Sequence, residues 1–165
     1  MKAYGIEIEW KGPFSPTKVI REMDDSGQSP TWNGKDYGLY QIYGKHRLYG
    51  EYALLYVGKT TERTFSKRFK EHQKWLLEDQ YEKDIKIYFG RIYNPKRHSG
   101  KDKWRSWKED IEDAEKILIY KYSPNYNGRE LAKIPELHHP KIQLFNGGQK
   151  GRLKNRDVPK DYSEC

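Results

Sequence analysis

Five side chains stand out for the chemistry they could do. Tyr40 and Tyr56 sit in two aromatic segments, Arg68 and His72 lie four residues apart in a basic one, and Glu115 interrupts an apolar helical stripe. Arginine can grip a phosphate with two parallel hydrogen bonds, and a histidine near its ordinary pKa can move a proton. A carboxylate on an apolar face wants a cation, a metal or a groove, because an isolated buried charge is costly. Tyrosine ordinarily titrates at about 10, so it acts as a base at neutral pH only with cationic neighbours, and Lys59 is one candidate. Gly58 has no side chain, so a ligand backbone can come close to its strand. Taken singly, each residue has a plainer role: a packing tyrosine, an ordinary basic helix, a glutamate paired with lysine or arginine.

The patterning predicts elements that would position these groups. Tyr4, Ile6, Ile8 and Trp10 alternate with Glu7 and Glu9, the pattern of a half-buried strand over 4–10. Ser15-Pro16 reads as an N-cap with proline in the first helical turn. That short helix would turn Val19, Ile20 and Met23 inward and stop at Gly27, and a turn-rich connection over 27–36 would follow. Residues 37–43, 52–59 and 85–93 read as strands, rich in Tyr, Leu, Ile and Val. Thr64 can cap a helix to about Asp79, with Phe65, Phe69 and Leu76 on its apolar face. A longer helix runs from Trp104 to about Tyr122, placing Ile111, Ala114, Leu118 and Tyr122 on one stripe with Glu115 inside it. Glu109, Asp110, Glu112 and Asp113 belong to the solvent face on this reading. After Pro124 the sequence reads as loop-rich.

The order of these segments resembles the GIY-YIG nuclease family. Gly38-Leu39-Tyr40 matches the first signature triplet with Leu39 for isoleucine, and Tyr56-Val57-Gly58 matches the second with Val57 for isoleucine. The likeness covers roughly residues 37–127, continuing to Glu115 and to Pro124-Asn125-Tyr126-Asn127. The 15 residues between the two triplets make a longer connection than is usual for the family. The resemblance implies an α+β fold with a small, largely antiparallel sheet flanked by helices. It divides a single domain of residues 1–165 into an N-terminal decoration (1–36), a catalytic core (37–127) and a basic C-terminal extension (128–165).

The same resemblance implies a metal-dependent DNA endonuclease. Glu115 would hold one divalent ion, magnesium or another such as manganese, and Arg68 would stabilise the transition state. Tyr40, helped by His72 or Lys59, would deprotonate the attacking water, and Tyr56 would position water or phosphate. Gly58 and Asn127 would support the site. A compact chain with segments on both sides of the core looks most like a restriction-type enzyme, working as a homodimer for double-strand cleavage. The alternatives are a structure-selective DNA repair nuclease and a non-catalytic nucleic-acid-binding module.

Composition agrees with a polyanionic partner. The 165 residues carry 32 Lys and Arg against 24 Asp and Glu, a net charge of +8. Mean hydropathy is low, but 14 Tyr, 5 Trp and 5 Phe belong to a folded chain rather than a disordered one. Lys150, Arg152, Lys154 and Arg156 are candidate contacts to a nucleic-acid backbone. The single cysteine, Cys165, permits no intrachain disulfide, and no stretch has the length of a membrane span or a secretory leader, so a cytoplasmic location is expected. His138 and His139 would need further ligands to hold a metal. Gly147, Gly148 and Gly151 lack the setting of a nucleotide-binding loop.

Overall fold

The computed structural model describes residues 4–22, 38–62, 65–92, 103–128, 135–139 and 141–159. The expected cap at Thr64 and the inward Met23 lie outside these residues, as do the side chains of Ile20 and Leu76. The elements in chain order are β1 (Tyr4–Phe14), α1 (Pro16–Glu22), β2 (Gly38–His46), β3 (Gly50–Thr60), α2 (Phe65–Asp79), a 3-10 turn (Glu82–Asp84), β4 (Lys86–Ile92), α3 (Lys103–Tyr122), β5 (Ile142–Gly148) and β6 (Arg156–Asp157).

The strands form one sheet in the order β3-β2-β4-β1-β5-β6. Four pairings are antiparallel, and β1 runs parallel to β5, so the fold is α+β with a mixed sheet. Two corrections follow. The segment expected to decorate the core supplies β1, which lies inside the sheet between β4 and β5. The region expected to be loop-rich contributes β5, whose Ile142 and Leu144 are buried beside Tyr4 and Ile6.

Strand alternation splits the core into two halves. Ile6, Ile8, Trp10, Leu39, Tyr43 and Val57 face α3, where Ile111, Ala114, Ile117 and Leu118 are buried against them. Tyr40, Ile42, Ile87 and Phe89 face the other way and pack on Val19 of α1 and on Phe65 and Phe69 of α2. Neighbouring positions of β2 therefore serve opposite layers, and Tyr40 belongs to the α2 side.

Helix α3 ends at Ser123, which takes a left-handed conformation (φ 46°) and donates its amide to the Ile119 carbonyl; Pro124 then prevents continuation. The chain leaving it runs beside β3, where the Tyr126 amide donates to the Leu55 carbonyl at 2.8 Å. The acids of α3 do not all face solvent as expected. Asp110 and Asp113 are fully buried, because neighbouring segments bring donors to them. The Tyr4 hydroxyl donates to Asp110 at 2.8 Å, the His138 amide donates to Asp113 at 2.8 Å, and His139 Nδ1 lies 2.9 Å from Asp113 Oδ2.

Candidate active site

The register of the β2–β3 hairpin pairs Tyr40 with Gly58 and Ile42 with Tyr56. All four positions therefore face the same layer, and the rings of Tyr40 and Tyr56 stack with centroids 5.9 Å apart. Gly58 makes this possible: a Cβ there would lie 2.4 Å from both Cζ and the hydroxyl oxygen of Tyr40. The Tyr40 ring occupies the space expected for a ligand backbone. Phe65 and Phe69 anchor α2 against the sheet and hold His72, one helical turn beyond Arg68, over these rings.

The closest contact joins the Tyr40 hydroxyl to His72 Nε2 at 2.6 Å, both side chains being buried. The imidazole also lies 5.0 Å from the Tyr56 ring centroid. Burial, reinforced by the nearby Tyr56 and Glu115 and opposed by Arg68, raises the Tyr40 hydroxyl well above its ordinary value. Burial and then the Arg68 charge lower His72 from 6.5 to about 4, against a smaller opposing pull from Glu71. Both groups are uncharged at neutral pH. Either group can be the donor across this contact; with the ring proton on Nδ1, the Tyr40 hydroxyl donates to Nε2.

Arg68 supplies the positive charge. Its Nη1 donates to Glu71 Oε2 at 2.7 Å, while its field acts on the oxygens of both Tyr40 and Tyr56. Glu115 approaches from α3, with its side chain only 15% exposed, and its Oε2 lies 2.7 Å from Lys59 Nζ. That meets the demand for a cation read from the apolar stripe. Asn127 grips the edge of β3 at both ends of its amide: Oδ1 accepts from the Val57 amide at 3.0 Å, and Nδ2 donates to the Val57 carbonyl at 2.8 Å.

The structure thus gathers Tyr40, Tyr56, His72 and Gly58 at direct contact, with Arg68 and Glu115 within electrostatic reach and Lys59 and Asn127 on the adjoining strand edge. The basic C-terminal residues lie elsewhere. The loop joining β5 to β6 crosses the α3 side of the sheet, where the Tyr43 hydroxyl accepts the Arg152 amide and Arg152 Nη1 donates to the Tyr52 carbonyl. Lys154 is exposed and Lys150 partly buried in that loop, whereas Arg156 pairs with Phe145 in β6 and is exposed on the opposite face. Sequence reasoning missed Glu71, the partner of Arg68; its i, i+3 spacing from that arginine was the available signal.

Among the described residues no group of three or more His, Cys, Asp or Glu side chains could hold a metal together. Magnesium needs no such cage, since it keeps much of its water and accepts one or two carboxylates. Glu115 is a single carboxylate of that kind beside the Tyr40–His72 pair, and in this structure its charge is met by Lys59.

No family model matches the chain, and no curated protein or solved structure matches it.

Proposed function

We propose that this protein is a metal-dependent DNA endonuclease. The observation that carries the reading is the buried 2.6 Å contact between the Tyr40 hydroxyl and His72 Nε2 beside Arg68. A hydroxyl held this way passes its own proton to the imidazole as it takes one from an attacking water, so no free tyrosinate need form. Arg68 suits the negative charge that builds on a phosphate during attack. Burial is the larger cause of the depressed His72, and phosphate beside Arg68 would offset the smaller one, the Arg68 repulsion, making the imidazole a better acceptor when substrate is bound. Tyr56, stacked on Tyr40, restricts where that hydroxyl points.

Glu115 is the residue that would hold the divalent ion, exchanging its contact with Lys59 for it. When bound, the ion supplies Lewis-acid neutralisation of phosphate charge. Lys59 would then be free to meet a phosphate oxygen. The net charge of +8 supports a polyanionic substrate. Restriction-type cleavage by a homodimer and structure-selective cleavage are the two classes open within this reading. Nicking of supercoiled plasmid in magnesium, with Tyr40 and Glu115 variants beside wild type, tests it.

A further inference from the structure

A second feature lies at the other end of the β2–β3 hairpin. A cavity of about 670 Å³ opens between the hairpin tip and the end of α2, lined by Lys45, Arg47, Leu48, Gln80, Tyr81 and Tyr126. Apolar exposure is concentrated around it. Of the five large hydrophobic side chains that are exposed among the described residues, Leu48, Tyr81 and Tyr126 line this cavity and Tyr49 adjoins it in the hairpin turn. Tyr81 is 77% exposed and Leu48 83%, a clustering that marks an interaction site rather than scattered surface residues.

The wall is built rather than incidental. Gln80 clamps Lys45 at both backbone groups: Oε1 accepts the Lys45 amide at 2.8 Å, and Nε2 donates to its carbonyl at 2.8 Å. This clip fixes the tip against the end of α2. Lys83 lies 6.0 Å from the Tyr81 ring centroid. Lys45 contacts Glu51 at 3.6 Å, but both side chains are largely exposed, so that ion pair is weak and easily exchanged for phosphate. Asp84 is the acid in the lining and offers an acceptor to an amino group.

We infer that this cavity binds an unpaired nucleotide of the substrate strand, its base stacking on Tyr81 and its phosphates meeting Lys45 and Arg47. An exposed aromatic face beside exposed cations is how sequence-tolerant proteins hold single strands. A paired base has its faces covered by its neighbours, so the cavity selects gaps, flaps or frayed ends over intact duplex. Lys45 lies five residues beyond Tyr40 on the same strand, about 17 Å along an extended chain. The inference takes its partner from the endonuclease reading and narrows the substrate toward nucleic acid with single-stranded character.

The experiment is equilibrium binding of a fluorescein-labelled single strand and a blunt duplex of equal length, in chelator, to wild type, Tyr81→Ala, Tyr81→Phe and Arg47→Ala. Wild type should hold the single strand at least about fivefold more tightly than the duplex. Tyr81→Ala should weaken single-strand binding by about fivefold or more, while Tyr81→Phe, which still stacks, stays near wild type. Arg47→Ala should weaken it and flatten its salt dependence. Equal single-strand affinity in wild type, Tyr81→Ala and Arg47→Ala would overturn the inference, as would failure of wild type to bind the strand. Metal-dependent plasmid nicking by that same wild type would show that the endonuclease reading survives the loss. These exposed side chains can be changed without touching either core, and circular dichroism checks the fold.

Discussion

With Tyr40 and His72 both neutral at pH 7, the Tyr40 hydroxyl is placed to pass a proton to His72 Nε2 in the tautomer that leaves this nitrogen unprotonated. Replacing Tyr40 by phenylalanine keeps the ring against Gly58 and Tyr56 and removes that donor. Cleavage should fall about 10²-fold or more, with the ring geometry retained. Nicking kinetics read the loss, and an unchanged rate would remove Tyr40 from the reaction. His72 carries a second consequence, for stability. It titrates at about 4 in the folded protein and near 6.5 when unfolded, so between those values the unfolded chain binds more protons. The stability contributed by neutral His72 is present above about pH 6.5 and is lost as pH falls through that window toward 4. Urea midpoints followed from pH 7 to pH 4 should drop less steeply in His72→Gln than in wild type.

At the scale of elements, the site depends on β3, an edge strand whose partner-free side is covered by the chain after α3. Asn127 acts there as a substitute strand, satisfying both backbone groups of Val57. Asn127→Ala should cost about 1–3 kcal/mol, the sum of two modest hydrogen bonds, and amide exchange at Val57 should quicken. Protection of that amide equal to wild type would show that the clip is dispensable. Much of this was legible in the sequence. Tyr40, Tyr56, Arg68 and His72 converge because two strands rich in β-branched and aromatic residues meet a helix with Phe65 and Phe69 on its buried side. Asp110 and Asp113 were not legible as buried groups, since their donors come from Tyr4 and from residues 138–139, far along the chain. Strand β5 was hidden for another reason: its alternation is inverted by an outward Phe145 and an inward Asn146.

Over the whole molecule, the ends of the chain complete the sheet that carries the site. Tyr4–Phe14 lies within it, and Ile142–Gly148 covers its parallel side. A buried polar chain ties these parts together: Trp10 Nε1 donates to Asn146 Oδ1 at 3.0 Å, Asn146 Nδ2 donates to Asp157 at 2.9 Å, and the Tyr122 hydroxyl donates to Asp157 at 2.9 Å. Removing residues 141–165 would expose the edge of β1 and leave Trp10 without its acceptor. The truncated protein should lose cooperative unfolding and aggregate, which thermal denaturation and sedimentation would register; a soluble fragment with a sharp transition would contradict the β1–β5 pairing as a structural necessity. The segments flanking the family-like region are therefore part of its support, a dependence that local sequence patterns do not carry because parallel pairing joins residues more than a hundred positions apart.

The most direct measurement is nicking of supercoiled plasmid in magnesium by wild type, Glu115→Gln and a chelator control. The proposed chemistry predicts discrete nicks or fragments with wild type and metal, and a loss of at least about 10²-fold in the variant or in chelator. Intact plasmid across magnesium and manganese, from a protein that still binds DNA, would contradict it and leave the buried Tyr40–His72 pair as part of a binding surface.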